Sequence, residues 1–196
     1  LDTFTYTVTD GHGGTDTATV TVTVTGANDG PDAIDDSATV SEDGPAVSID
    51  LTANDSDPDA SDDLEILSID TTGTSGSVTV NVDNDTVSYD PNGQFESLGV
   101  GETALDTFTY TVTDGHGGTD TATVTVTITG ANDGPDAIDD GATVSEDGPA
   151  AVIDVLANDS DPDATDQLTI LSLGTTGTAG TVTVDDNGTP SDATDD

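Results

Sequence analysis

Residues 15–26 read TDTATVTVTVTG, with polar and apolar positions alternating over ten residues. That is the period of a strand with one wet and one buried face. TFTYTVTD at 107–114 alternates in the same way and sets Phe108, Tyr110 and Val112 on one face. From residue 33 to residue 129 the pattern predicts seven strands, A to G, at 33–40, 46–52, 64–70, 77–82, 86–89, 106–113 and 121–129. The strings EDGP, NDSDPD, TGTSG, DND, DPNG and DGHGG separate them, each rich in residues that favour turns.

Seven short strands in about 100 residues, with no helical period, predict an all-β fold: a seven-stranded, Greek-key, immunoglobulin-like sandwich. Tyr110 is a candidate for the tyrosine corner of such sandwiches, with a plain core tyrosine as the alternative. Residues 95–102, FESLGVGE, are expected to pack Phe95 and Leu98 across one end.

Aligning Leu1 with Leu105 carries the chain onto itself as far as Val80 and Val184, at roughly 84% identity and a period of 104 residues. Such a period belongs to a whole domain, not to a solenoid turn. The chain is therefore read as strands F and G of a preceding repeat at 1–27, a complete repeat at 28–131, and the N-terminal strands of a following repeat at 132–196. Beyond Val184 the third copy departs from the second, as a hairpin tip tolerates. The end pieces leave strand edges unpaired and are expected to be mobile or to complement each other. The absence of Met, an initiator included, is expected of an excerpt from a longer chain.

Composition changes the picture. The chain holds 41 Asp and Glu against no Lys, no Arg and two His, a formal charge of −41. Self-repulsion at that density opposes compaction, so counter-charge must come from solution. Oxygen-rich carboxylate sites suit hard cations, and Ca²⁺ is the expected cofactor, several ions per repeat. Nucleic acid is excluded as a partner, because phosphate binding needs a basic surface. There is no Cys and hence no disulfide, and no apolar run of membrane-spanning length, so no membrane insertion is expected.

In a sandwich of this order the acids fall at the two poles. Asp55, Asp57, Asp59, Asp62, Asp63, Asp114 and Asp120 share the upper loops with the incoming linker. Glu42 and Asp43 lie at the lower end, with Glu96 and Glu102 beside them. GANDGPD occurs at 26–32 and again at 130–136, between the bottom of one unit and the top of the next. Asn28, Asp29 and Asp32, like Asn132, Asp133 and Asp136, can offer oxygens to a cation shared by neighbouring repeats. Asp55, Asp57 and Asp59 alternate as the carboxylates of a tight calcium loop do, although the EF-hand form is not met: no Gly stands at the sixth place. A solvated acidic turn is the alternative. The repeat extends these candidates to Glu146, Asp159, Asp161 and Asp163. His12 and His116, both in DGHGG, are expected to be exposed loop residues. Glu96 and Glu102 could suggest a glycosidase pair, but no aromatic-lined pocket accompanies them, and neither an enzyme nor a small-molecule substrate is expected.

The strings TFTYTVTDGHGGTDTATVTVTVTGANDGP and SEDGPAVSIDLTANDSDPD resemble the tandem immunoglobulin-like and cadherin-like (VCBS-type) repeats in the extender regions of very large bacterial adhesins. The resemblance covers essentially the whole chain. It implies repeats joined end to end by calcium-binding linkers, with type I secretion, RTX calcium repeats elsewhere and a place on the bacterial surface. GANDGP is similar to the cadherin linker, which implies ligand positions at Asn28, Asp29, Asn132 and Asp133, with Gly26 and Gly30 replacing a linker Asp and Asn. ANDSD resembles the cadherin double-Asp segment, implying Asp55, Asp57, Asp159 and Asp161. Glu42 and Asp114 match a first-loop Glu and a later loop Asp. The cadherin Asp-Arg-Glu segment has no counterpart, which leaves the number of ions per junction open.

Two functions follow as expectations. One is a calcium-stiffened spacer that holds a distal adhesive domain away from the cell for adhesion or biofilm formation, its partners being neighbouring repeats of the same chain. The other is a binding module in which a Thr-rich face meets ice or carbohydrate. Near-identical repeats favour the spacer.

Overall fold

The computed structural model describes residues 1–81 and 85–184. Among the described residues nine strands are formed: β1 (Asp2–Thr9), β2 (Thr15–Val22), β3 (Asp36–Ser41), β4 (Val47–Asp50), β5 (Glu65–Asp70), β6 (Ser77–Asn81), β7 (Thr86–Asp90), β8 (Thr103–Thr113) and β9 (Thr119–Thr129). Strands β3 to β9 are the predicted A to G, arranged as a four-stranded sheet, β3-β9-β8-β5, and a three-stranded sheet, β4-β7-β6. β3 runs parallel to β9, and the other pairings in the two sheets are antiparallel. The protein is all-β, and its second repeat is an immunoglobulin-like sandwich.

Alternation sets the core. Ile49, Val87 and Tyr89 from one sheet, with Leu51 just past the end of β4, meet Phe108, Tyr110, Val112, Val124, Val126 and Ile128 from the other, all buried. Each such side chain contributes about 1.5–3 kcal/mol on leaving water. Phe95 and Leu98 pack against this cluster, as their place in the E–F connection predicts.

Strand A begins at Asp36 rather than at residue 33. The backbone ahead of it is taken up by the top loops: Asp32 bridges Ser56, the Ala33 N–H donates to Asp120 (2.9 Å) and the Ile34 N–H to Asp55 (2.7 Å). Side-chain carboxylates there replace the acceptors of a ladder. Strands F and G are longer than predicted, because Thr103 pairs with Thr129 and Thr113 with Thr119. The predicted end of strand D at residue 82, most of the DND turn and the departure of the third copy beyond 184 lie outside the described residues.

Tyr110 is not a tyrosine corner. Its hydroxyl donates to the Ile34 carbonyl (3.1 Å) and to the Asp55 carboxylate (3.2 Å), tying strand F to the first residues of the repeat and to the B–C loop.

The flanking pieces differ from the complete repeat. β1 and β2 form a two-stranded sheet that leaves Phe4, Tyr6 and Val8 exposed, whereas their counterparts Phe108, Tyr110 and Val112 are buried. Residues 137–184 contain no strand, and the third repeat begins with an isolated bridge between Asp136 and Ser160. In the complete repeat A pairs with G and C with F. Without such partners, strand-like sequence has no ladder to join.

Candidate metal centre

The two copies of GANDGPD are built into their surroundings from opposite directions. At the first, Asn28 Nδ2 donates to Asp114 Oδ2 (2.8 Å), the Asp29 N–H donates to Asp59 Oδ2 (2.8 Å), and Asp32 exchanges backbone hydrogen bonds with Ser56. Gly30 lies against Gly118 of DGHGG so closely that a Cβ on Gly118 would stand 2.9 Å from Gly30 Cα. The linker is thus clamped to the F–G loop of the repeat it enters.

Asp114 is the centre of that clamp and is buried. Its carboxylate also accepts the N–H groups of His116 (2.8 Å), Gly117 (2.9 Å) and Gly118 (2.9 Å). The Asn28 amide, followed by these backbone donors, holds the Asp114 carboxyl below its ordinary range. Gly115 and Gly117 supply the left-handed turns (φ 72° and 110°) that aim the donors inward. His116 is exposed, and its Nδ1 lies 3.1 Å from Asp62 Oδ2.

At the second copy the upstream repeat is engaged. Glu42, buried in the A–B turn, accepts the Ala131 N–H (2.6 Å) on Oε1, and the Gly130 N–H donates to the Glu102 carbonyl (3.0 Å). Downstream, the Asp133 N–H donates to Asp163 Oδ2 (3.1 Å). Glu42, Asp133 and Asp163 come together, each offering an oxygen within 4.8 Å of the others. Glu42 Oε2, Asp133 Oδ2 and Asp163 Oδ1 are buried and receive no hydrogen bond. Asp43, Glu96 and Asp133 form an adjoining group, and Asp161, Asp163 and Asp166 another.

Three carboxylates this close repel one another, and one oxygen of each is cut off from water with no donor in exchange. Burial, and then the charges of Asp43, Asp163 and Asp161, push the Asp133 carboxyl up. Burial and the charges of Asp133, Asp43 and Glu42 do the same to Glu96. A hard cation relieves all of these costs at once. Oxygens that ligate one Ca²⁺ at about 2.3–2.6 Å cannot stand more than roughly 5 Å apart, and the oxygens of Glu42, Asp133 and Asp163 are close enough to share one ion. The donor set, all oxygen and anionic, fits Ca²⁺.

A further group joins Asp57, Asp59 and Asp62 in the B–C loop of the complete repeat. Asp57 Oδ1 accepts the Asp59 N–H (2.7 Å), while its Oδ2 is buried without a donor.

The other sequence candidates are placed as follows. Asp55 lies under Tyr110, its carboxyl pushed up by burial against the hydrogen bonds from Ile34 and Tyr110. Asp159 accepts the Ile138 N–H (2.8 Å), as Asp55 does that of Ile34. The side chains of Asp32, Asp136 and Glu146 are exposed and join none of these acid groups, and Asn132 donates to the Asp133 carbonyl (2.6 Å). Glu96 and Asp62 enter the groups although the sequence marked them only as polar acids. Asp166 was missed, and its signal was its place three residues after Asp163, as Asp62 follows Asp59.

The family model for the bacterial cadherin-like domain matches residues 28–130, and that for the bacterial Ig domain matches residues 1–23 and 132–195. The chain belongs to the bacterial cadherin-like domain family, set among tandem Ig-like repeats. No curated protein matches it. Domains of these kinds are typically structural, non-enzymatic modules of extracellular surface proteins, and cadherin-like domains generally bind calcium. No helix among the described residues is long and apolar enough to cross a membrane.

Proposed function

We propose that the chain is a stretch of calcium-stiffened spacer from a large bacterial surface adhesin, exported by type I secretion, that projects a distal adhesive domain. The observation that carries this reading is the triad of Glu42, Asp133 and Asp163, one from a repeat, one from the linker and one from the next repeat, each with a buried oxygen lacking a donor. An ion held there joins three segments that could otherwise swivel. Repulsion between the poles becomes attraction through the metal. With Ca²⁺ at 10 to 100 times its Kd, each site adds roughly 1–3 kcal/mol to the folded, docked state. Several sites rival the whole stability of a small domain, about 5–15 kcal/mol.

A calcium titration followed by circular dichroism and small-angle scattering tests this. In millimolar Ca²⁺ the chain should melt higher and scatter as a rod, each complete repeat adding roughly 35–45 Å from strands of about 3.3 Å per residue plus loops. Chelation should lower the melt and broaden the distance distribution, with Mg²⁺ a weak substitute because it demands a stricter, partly hydrated geometry. Identical melts and distributions in EDTA and Ca²⁺ would overturn the proposal.

The second reading, ice or carbohydrate binding, draws on the outward rows of β8 and β9, where Thr107, Thr109, Thr111 and Thr113 face Thr125, Thr123, Thr121 and Thr119. Thr111 and Thr121 bond each other through their hydroxyls (3.0 Å), which favours a self-satisfied surface. An ice-recrystallisation or glycan-array signal from this chain would reverse the order of the two readings.

A further inference from the structure

We propose that residues 95–102 form a metal-independent docking ledge whose partner is the B–C loop of the next repeat, and that this contact sets the angle between repeats. The inference rests on the tandem-spacer reading but not on its calcium sites.

The ledge is fixed to its own repeat from above. Phe95 and Leu98 pack against the core, and the Leu98 N–H closes a turn on the Phe95 carbonyl (3.0 Å). Glu102 locks the other side: its carboxylate accepts the Gly99 N–H (3.0 Å), its N–H donates to the Gly99 carbonyl (3.0 Å), and its carbonyl accepts the Gly130 N–H (3.0 Å). Any Cβ on Gly130 would run into the carbonyls of Leu98 and Gly99, so the linker leaves the repeat pressed against the ledge.

The lower side meets the third repeat. The Ala164 N–H donates to the Ser97 carbonyl (3.2 Å). A Cβ on Gly99 would lie 3.2 Å from Thr165 Oγ1 and 3.7 Å from both Asp163 Cβ and Asp166 Oδ1. Gly99 is buried although its neighbour Val100 is 76% exposed. Asp163 is 2% exposed, while its counterpart Asp59, which has no ledge above it in this chain, is half-buried.

Charge explains why this segment can do the work. The stretch SLGVG at 97–101 carries no acid in a chain with 41 of them, so it can approach the acidic loop without repulsion. Its hydrogen bond uses backbone groups alone and needs no ion. The receiving positions are small in both copies, Ala164 and Thr165 in the third repeat and Ala60 and Ser61 in the second, so either loop fits under the same ledge.

The test compares the full chain with Gly99→Leu and, from the opposite side, Thr165→Trp, each in EDTA and in saturating Ca²⁺. Hydrogen exchange reads the Ala164 amide, and scattering reads the inter-repeat distance distribution. Both variants should reduce Ala164 protection roughly tenfold and broaden the distribution even in Ca²⁺, while amides of β8 and β9 keep their protection. Should Gly99→Leu disturb the second repeat itself, Thr165→Trp, on an exposed loop, decides. Wild-type protection and distances in Thr165→Trp with Ca²⁺ would overturn the ledge. If chelation changes nothing while the ledge variants loosen the junction, the ledge stands and the calcium reading falls.

Discussion

The string at 26–32 and the identical string at 130–136 differ in what surrounds them, and each shows a part of one junction. The first has the F–G loop of the repeat it enters, which clamps Asn28 through Asp114 and Gly30 through Gly118. The second has the A–B turn and the E–F ledge of the repeat it leaves, which bind Ala131 through Glu42 and Gly130 through Glu102. Common to both is a cap made with the B–C loop. The Asp29 N–H bonds Asp59 as that of Asp133 bonds Asp163, and the Ile34 N–H bonds Asp55 as that of Ile138 bonds Asp159. The cap forms in the third repeat although no strand does there among the described residues. It is a local structure, encoded within about thirty residues, onto which the sandwich and the neighbouring repeat add separate sets of contacts. A linker with contacts on both sides is a joint whose stiffness can be altered from either side.

The largest contrast should appear between a glycine of the F–G clamp over the first copy and a glycine of the second copy, which has no such clamp here. Gly118→Ala places a methyl group against Gly30 Cα and into the Asp114 carboxylate, which is itself pinned by donors. Overpacking of this kind costs about 1–3 kcal/mol. Gly134→Ala, at the second copy's counterpart of Gly30, meets nothing within 4 Å and should change stability by less than about 0.5 kcal/mol. Denaturant midpoints of the two variants in equal Ca²⁺ measure the contrast. Equal shifts would mean that the F–G clamp is not tight.

A smaller contrast is expected at the asparagines. Asn28→Ala removes the amide that reaches Asp114 and should cost about 1 kcal/mol. Asn132→Ala removes a bond to the adjacent residue's carbonyl at an exposed position and should cost less than about 0.5 kcal/mol. Exchange rates at Asp29 and Asp133 report the two sites separately, and a larger effect at residue 132 would reverse the assignment of the clamp.

The sandwich was legible because alternation is a local signal: the residues that alternate in TFTYTVT and TATVTVTIT are those buried in β8 and β9. The same parity carries Asp106 into the interior beside Phe108, and there it is 5% exposed, accepting Ser75, Gly76 and Tyr89. Burial pushes its carboxyl up, but those donors outweigh it and the net shift is downward. That lock could have been read from the pattern. Glu42, Asp57, Asp59, Asp133, Asp161 and Asp163 were legible as candidate ligands, but their grouping was not, because which carboxylates converge depends on how the B–C loop, the A–B turn and the linker meet in space. Asp32 and Asp136 illustrate the limit: their backbones are used in bridges while their side chains point to solvent. Strand A began late for a related reason, since side-chain carboxylates supplied acceptors that a periodicity rule assigns to a ladder.

The smallest and most diagnostic effect should be an opposite response of the two copies to acid. In the absence of metal, burial and the charges of Asp43, Asp163 and Asp161 raise the Asp133 carboxyl above its value in the unfolded chain. The folded junction therefore binds the proton more tightly than the unfolded chain does. The cost of ionising Asp133 is absent below the unfolded carboxylate range and is fully imposed once pH rises past the folded value. Acidifying in chelator from pH 7 down to the ordinary carboxylate range, about 4, should thus tighten the second junction. Asp114 has the opposite sign, because Asn28 and the loop N–H groups lower it. Its stabilisation is present above the ordinary carboxylate range and is lost as pH falls through the lowered value, so the first clamp should hold throughout that interval and fail only in stronger acid. Saturating Ca²⁺ should abolish the tightening, since an ion in the triad takes the proton's place and acid then competes with it. Scattering or paired-label distances across residues 130–136, with exchange at Asp29 as the internal reference, follow both copies in one sample. A second junction that is indifferent to pH from 7 down to the ordinary carboxylate range in chelator would show that Asp133 is too well hydrated to be repelled by its neighbours, and would remove the electrostatic reason for an ion at that site.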